Sequence, residues 1–72
     1  MPGDAMNQRM RSRRTGLGLS QAELAKRIGV SRQTIVLIEQ ERFNPSLKLC
    51  LAICHTLETT LDDLFYKEKD HA

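Results

Sequence analysis

The sequence predicts an all-α domain of five short helices, in which helices 2 and 3 form a helix-turn-helix. Apolar residues recur three and four positions apart along most of the chain, and no segment alternates as a strand would. Serine or threonine precedes several of these segments, and a glycine separates the second from the third. We therefore expect one small domain over residues 6–66, between a disordered tail at 1–5 and a charged tail at 67–72.

Helix 1 is predicted from Met6 to Thr15 and ends at the glycines that follow. Met10 and Arg14 continue the helical face that Met6 begins. The helix is otherwise rich in arginine, and either a solvated surface or a phosphate-binding surface accounts for that composition. Its arginines are Arg9, Arg11, Arg13 and Arg14.

Helix 2 has the clearest start and stop signals in the chain. Ser20 and Glu23 match a capping box, in which each side chain accepts a hydrogen bond from the other residue's amide. Gly29 follows Ile28, where a left-handed backbone conformation would end the helix.

Helix 3 is predicted to begin after the cap residue Ser31 and to run to Gln40 or Glu41. At 100° per residue, Ile35 and Ile38 point toward the core. The remaining side chains of interest lie on the outer side or flank it: Arg32, Gln33, Val36, Leu37 and Gln40.

Helix 4 is predicted over about Ser46–Leu57, with Pro45 in its first turn and either Asn44 or Ser46 as the cap. Its apolar face is almost unbroken and consists of Leu47, Cys50, Ile53, Cys54 and Leu57.

Charge is divided unevenly along the chain. Residues 1–45 hold eight Lys/Arg and four Asp/Glu, a net +4, whereas residues 46–72 hold three and five, a net −2. Such asymmetry favours an interpretation in which residues 1–45 form a surface that faces a polyanion. No apolar segment reaches the roughly 18–20 residues that cross a bilayer, so we expect a cytoplasmic protein without membrane contact.

One cluster contains metal-ligating residue types: Cys50, Cys54 and His55. A closed zinc site needs four ligands, and the only other histidine lies in the charged tail. We prefer the interpretation that both cysteines are small packed residues, over redox sensing or metal binding. Asp62 and Asp63 suit the start of a helix, and no nucleophile with a base is recognisable. We expect neither enzyme activity nor a cofactor.

Helix 3 has side chains that can read base edges in DNA. A second helix set across a first by a short glycine turn fits a major groove about 12 Å wide. Arg32 and Gln33 lie in its first turn, and they pair well with guanine and adenine respectively. Leu37 and Val36 would meet thymine methyl groups, although packing on a neighbouring loop or helix is the alternative for each.

Three motifs lie between Leu17 and Phe65: LGLSQAELAKRIGVSRQTIVLIE, NPSL and LDDLF, and the resemblance that they carry covers roughly Met6 to Phe65. Together they resemble the XRE-like regulators, which have a lambda-repressor/Cro-type helix-turn-helix domain. The resemblance implies a compact five-helix fold and a sequence-specific transcriptional regulator, with a repressor as the expected type. It also implies that helix 3 enters the major groove of double-stranded DNA and that a homodimer binds a palindromic site.

The resemblance assigns roles to individual residues. The base-contacting positions correspond to Arg32, Gln33 and Leu37, and we also expect Val36, which flanks them, to contact bases. The phosphate-contacting positions correspond to Gln21, Arg9, Arg42 and Asn44, and we also expect Thr34 to contact phosphate. Gln21 is also expected to orient Gln33. Arg14 and Glu39 match a structural ion pair between helices 1 and 3, and both lie at inward borders of their helices.

Four residues depart from the family pattern. Glu41 stands where a helix-ending glycine is usual, so helix 3 should run longer or end with strain. Val36 replaces a commonly polar residue. Arg13 and Thr15 replace residues that are often aliphatic, which predicts that helix 1 is loosely anchored.

Helix 5, which begins with a second capping pattern at Thr60 and Asp63, carries more apolar residues than a small core needs. Packing against helix 1 is one explanation. The other is a symmetric dimer contact through Leu61, Phe65 and Tyr66, with two recognition helices about 34 Å apart. RNA polymerase or a toxin is a further possible partner. Two functional alternatives stay open: an antitoxin, and a protein-interaction module that has lost DNA binding.

Overall fold

The computed structural model describes residues 7–65, and this part of the chain contains five helices and no strand. The prediction of an all-α five-helix domain is confirmed. The helices are α1 Gln8–Gly16, α2 Gln21–Ile28, α3 Arg32–Glu39, α4 Leu47–Thr56 and α5 Leu61–Phe65. The predicted tails at 1–5 and 67–72, together with Met6 and Tyr66, lie outside the described residues.

One hydrophobic core joins the helices. α2 packs against α3 and α4, and α5 packs against α4 and α1. Burial of each large side chain in this core stabilises the fold by roughly 1.5–3 kcal/mol. The buried apolar residues are Met10, Leu19, Leu24, Ala25, Ile35, Ile38, Ile53, Cys54, Leu57 and Leu64.

α1 begins at Gln8 rather than at Met6, because Asn7 is its N-cap. Asn7 is buried, its Oδ1 accepts a hydrogen bond from the Met10 amide at 3.0 Å, and its own amide donates to the Glu39 carbonyl at 2.7 Å. This second bond ties the start of α1 to the end of α3. α1 also continues through Gly16, and it is Gly18, with φ +77°, that ends it.

α3 ends at Glu39, earlier than predicted, in a Schellman motif. The Arg42 amide donates to the Leu37 carbonyl at 2.8 Å, and the Glu41 amide donates to the Ile38 carbonyl at 3.0 Å. Glu41 has φ +60°, a left-handed conformation that costs an L-residue about 1–2 kcal/mol. Glu41 in place of a helix-ending glycine predicted either a longer α3 or a strained end. The prediction of a longer helix is wrong, and the strained end is observed.

α4 begins after Ser46, whose Oγ accepts from the Leu49 amide at 3.1 Å. Pro45 therefore precedes the cap and is not in the first turn of the helix. The predicted apolar face of α4 is also wrong at its first residue, because Leu47 is 65% exposed, and Leu51 beside it is 50% exposed.

Arg13 anchors α1 to the end of α4, which corrects the expectation of a loosely held first helix. Its Nε donates to the Leu57 carbonyl at 2.8 Å and its Nη2 donates to the Glu58 carbonyl at 2.7 Å. The last carbonyls of a helix have no partner within that helix and carry its negative dipole end, so a guanidinium binds them well.

The start of α5 has half of the predicted capping box. Thr60 Oγ1 accepts from the Asp63 amide at 3.2 Å, but the Asp63 carboxylate accepts from the Thr59 hydroxyl at 3.0 Å.

Candidate nucleic-acid interface

The turn between α2 and α3 is set by local hydrogen bonds. Ser20 and Glu23 form the complete capping box at the start of α2, with distances of 2.8 and 3.0 Å. At its end Gly29 has φ +94°, and the Gly29 and Val30 amides both donate to the Ala25 carbonyl. A residue with a side chain would be strained at this φ, and glycine avoids that strain.

The first turn of α3 presents Arg32 and Gln33 to solvent. Ser31 caps the helix by accepting from the Thr34 amide at 3.1 Å. The Thr34 hydroxyl lies 2.9 Å from the Ser31 hydroxyl, so it already has a partner. The phosphate contact assigned to Thr34 stays a prediction, and it would have to share this hydroxyl.

The next turn of α3 is less exposed than its predicted outward position implies. Val36, Leu37 and Gln40 are all half-buried. Partial burial reduces the cost of holding Val36 and Leu37 at the surface. Contact of either side chain with a thymine methyl group stays a prediction.

The inner side of α3 carries a buried polar network. Arg14 Nε donates to Glu39 Oε2 at 2.7 Å, and Arg14 Nη2 donates to Glu39 Oε1 at 3.2 Å. Arg14 Nη1 donates to the Leu19 carbonyl at 2.8 Å. The structure therefore brings together the two residues of the expected ion pair, and Glu39 is fully inside the core rather than at its border.

Gln21 extends this network to the first residue of α2. Its Nε2 donates to Glu39 Oε1 at 3.1 Å. A carboxylate can only accept, so the amide nitrogen of Gln21 must face Glu39. An amide nitrogen carries two hydrogens, so a phosphate contact from Gln21 is chemically compatible with this bond. The predicted link from Gln21 to Gln33, like the phosphate contact itself, stays a prediction. Residue spacing alone gave no signal for the contact between Gln21 and Glu39.

The predicted phosphate-contacting residues outside the helix-turn-helix lie in two places. Arg42 and Asn44 are exposed in the loop that follows α3. Arg9 is exposed on α1, and its Nη1 lies 3.4 Å from the Asp63 carbonyl of α5. That contact places Arg9 on the α5 side of α1, and its role toward DNA stays a prediction.

Two of the three residues predicted for a dimer contact are partly covered by their own chain. Leu61 and Phe65 are half-buried and pack against the core of their own chain. Tyr66 lies outside the described residues.

Neither cysteine of α4 is fully exposed to solvent. Cys54 is buried, and Cys50 is half-buried with its Sγ 3.9 Å from the Pro45 carbonyl. Burial raises the pKa of both thiols, and for Cys54 the neighbouring Cys50 and Asp63 add to the rise. His55 is exposed, and within residues 7–65 no group of three or more His, Cys, Asp or Glu side chains could hold a metal ion.

Over the same described range, none of the helices has the length and apolar character needed to traverse a bilayer.

A helix-turn-helix with this register matches a known family. The family model described as Helix-turn-helix, HTH_3, covers residues 10–64. The chain belongs to the HTH_3 family. This HTH_3 chain is 43% identical over 60 residues to an uncharacterized HTH-type transcriptional regulator of Archaeoglobus fulgidus, covering 83% of this chain and 86% of that one. It is also 43% identical over 68 residues to one from Methanothermobacter thermautotrophicus, covering 93% and 99%.

Solved structures agree with the sequence relatives. The restriction-modification controller protein C.AhdI from Aeromonas hydrophila matches with a TM-score of 0.75 at 36% identity, over 82% of this chain and 86% of that chain. The HTH_3 chain is thus a transcriptional regulator with a helix-turn-helix DNA-binding domain.

Proposed function

We propose that this regulator is a sequence-specific repressor that inserts α3 into the major groove and binds a palindromic site as a homodimer. The observation that carries the proposal is the first turn of α3, where Arg32 and Gln33 are exposed side by side. Their types match guanine and adenine, and each good pairing is worth about 1–3 kcal/mol of discrimination.

Rigid support of that turn favours base reading over loose contact. Ile35 and Ile38 fix the inner side of α3 in the core, and the Glu39 carboxylate holds it to α1 and α2 through Arg14 and Gln21. A helix that is already fixed in place adds little backbone-ordering cost on binding, so the ordering cost that remains is mainly that of the exposed side chains.

Phosphate contacts would set the register of α3 in the groove. Gln21 lies at the N-terminus of α2, where the helix dipole favours an anion, and Arg42 and Asn44 are exposed beyond α3. Such contacts strengthen binding without carrying direct sequence information. Thr34 and Arg9 are assigned to the same group, each with a partner inside the chain that it would have to share or exchange.

A single recognition helix reads only a few base pairs, so two copies on a palindrome would give the specificity a regulator needs. A dimer bound over a promoter would exclude RNA polymerase, which is the basis for proposing repression. The chemistry required is binding alone, and we propose no catalytic activity.

Selection of bound duplexes from a random DNA pool tests the proposal. We expect enrichment of a palindrome with half-sites about one helical turn apart. Affinity for that site should fall steeply as salt rises, because arginines displace condensed counterions. Transcription from a promoter carrying the site should fall when the protein is added.

Equal binding to all duplexes, or none at low salt, would contradict the proposal. The second result would favour a protein-interaction module that has lost DNA binding.

A further inference from the structure

The polar network inside the core reaches the protein surface at Gln21. Glu39 is 1% exposed and Arg14 is 7% exposed, whereas Gln21, the first residue of α2, is half-buried. Gln21 Nε2 donates to Glu39 Oε1 at 3.1 Å, and within residues 7–65 this is the one hydrogen bond that the Gln21 side chain makes. A buried carboxylate is therefore in direct contact with a side chain of the proposed DNA-binding surface.

We propose that Glu39 is a positioning residue for DNA binding, whose carboxylate fixes the orientation of the Gln21 amide so that Nε2 is presented to a DNA phosphate. The inference rests on the proposed function and deepens it, because it names the residue that prepares Gln21 for phosphate. Glu39 is enclosed in the core, so it acts on DNA through Gln21 and not by contact. This role is additional to the ion pair with Arg14.

The chemistry of the amide determines which end faces Glu39. The two ends of a glutamine amide are similar in shape, but Nε2 carries two donors and Oε1 only accepts. A reversed Gln21 amide would place two acceptor oxygens about as close as the 3.1 Å that now separates Nε2 from Glu39 Oε1. Glu39 thus selects the end that a phosphate oxygen also needs. In the proposed complex one hydrogen of Nε2 stays on Glu39 and the other donates to the phosphate.

Arg14 allows a carboxylate to do this close to a phosphate. A carboxylate without a partner would repel the phosphate. Arg14 Nε donates to Glu39 Oε2 at 2.7 Å and Arg14 Nη2 donates to Glu39 Oε1 at 3.2 Å, so the pair carries no net charge. Hydrogen bonds to an ionised acceptor are stronger than those to a neutral one. Gln21 therefore has a strong acceptor that adds no net negative charge beside the DNA.

The restraint on Gln21 lowers the ordering cost of the phosphate contact. A glutamine side chain loses much rotamer freedom when it is immobilised. Part of that loss already occurs on folding, because Gln21 is bonded to a carboxylate that is itself fixed in the core. Less ordering remains for the binding step. Removal of the acceptor at position 39 should therefore weaken DNA binding even in a variant that stays folded.

NMR of the free full-length chain tests the orientation of the amide. One Nε2 hydrogen of Gln21 should exchange with water more slowly than those of Gln33, which is exposed and makes no hydrogen bond through its side chain within residues 7–65. The double variant Arg14→Met/Glu39→Met has no acceptor at position 39 and buries no charge. Both Gln21 hydrogens should exchange there as fast as those of Gln33. Unchanged protection of Gln21 in this variant would overturn the proposal.

A mutant cycle on DNA affinity tests whether Glu39 acts through Gln21. The probe is a random-sequence duplex at low salt, with fluorescence anisotropy as the readout. Gln21→Met should weaken binding about tenfold, and Arg14→Met/Glu39→Met about fivefold through lost orientation. Because both changes act on one contact, the triple variant should be about tenfold weaker than wild type. A loss of about fiftyfold, the product of the two, would show independent action and overturn the proposal.

Ile53→Val is the matched control for lowered stability. Ile53 is fully buried on α4 and lies outside the network, so its truncation destabilises the fold without removing a polar contact. Its affinity for the duplex should equal that of wild type at a temperature where circular dichroism shows every variant folded. A loss as large as that of Arg14→Met/Glu39→Met would assign the effect to stability and overturn the proposal.

The inference and the proposed function fail separately, because a phosphate contact does not depend on base sequence. A protein that selects no sequence but shows the non-additive loss keeps the inference and rejects the function. A protein that selects a palindrome while the two losses multiply does the reverse. Absence of binding to any duplex would reject both.

Discussion

The guanidinium of Arg14 and the carboxylate of Glu39 form a two-point ion pair inside the core, with side-chain exposures of 8% and 1%. Removing one partner leaves the other charge buried without compensation, which costs about 3–5 kcal/mol. We expect Glu39→Ala to lower the free energy of unfolding by an amount in this range, measured by urea denaturation. That is a large part of the stability of a small domain.

The matched control is the double variant Arg14→Met/Glu39→Met, which buries no charge. It should be more stable than Glu39→Ala, because apolar residues of similar volume can replace a buried pair at little cost. If Glu39→Ala kept its melting temperature and lost only DNA affinity, the ion pair would not be structural.

Gln33 is the residue on which base preference should depend most directly. Gln33→Ala should reduce affinity for the selected site by about 1–3 kcal/mol while affinity for unrelated duplexes stays nearly constant. Arg42→Ala is the comparison, because loss of a phosphate contact should weaken all sequences about equally and reduce the salt slope by about one. Gel shifts with selected and scrambled duplexes measure both. Equal losses on both duplexes for Gln33→Ala would remove its base-reading role.

Glu58 ends α4 in the same left-handed conformation in which Glu41 ends α3, with φ +59°. Glycine adopts this conformation without the steric cost of about 1–2 kcal/mol, although it loses more backbone entropy on folding. Glu58→Gly should therefore raise the free energy of unfolding by about 0.5–1 kcal/mol. Thermal and urea unfolding measure the change.

Glu58→Ala separates the backbone effect from the loss of the side chain. Alanine keeps the strained φ, and the Glu58 carbonyl still accepts from Arg13 in both variants. A glycine variant no more stable than the alanine variant would show that strain at this position is negligible.

The capping box of α2 makes stability depend on pH. The hydrogen bond from the Ser20 amide, followed by that of the Ser20 side chain, holds the pKa of Glu23 below the ordinary glutamate value of 4.5, with a smaller effect from Arg27. A pKa that is lower in the folded than in the unfolded state stabilises the fold above the unfolded value. This contribution is lost as pH falls through the folded value.

We expect wild type to be more stable than Glu23→Gln at neutral pH, with the advantage shrinking below about pH 4. Urea denaturation from neutral pH to below about pH 4 measures the difference in free energy of unfolding between the two proteins. Ser20→Ala is the comparison: it removes the cap of the Glu23 amide and one of the two Ser20 hydrogen bonds that lower the Glu23 pKa, so its cost of about 1 kcal/mol at neutral pH should also shrink as pH falls. A difference between wild type and Glu23→Gln that did not change with pH would reject the linkage.

Features that depend on a few neighbouring residues were predictable from the sequence. The caps at Ser20 and Ser31 and the turn at Gly29 lie where they were predicted, because each involves atoms within three or four residues. Helix ends were less predictable. Asn7 starts α1 through a buried contact with Glu39, and no local pattern distinguishes a buried asparagine cap from an exposed one.

By itself, the sequence determined the five helices, the helix-turn-helix and the side chains exposed on the first turn of α3. Periodicity, caps and glycines act over one or two turns, so they can be recognised without knowing the packing. Only the tertiary structure decided that Arg13 binds the carbonyls at the end of α4, that Gln21 joins the Arg14–Glu39 pair and that Leu47 faces outward. These outcomes depend on which helices meet, and residues far apart in sequence supply both sides of each contact.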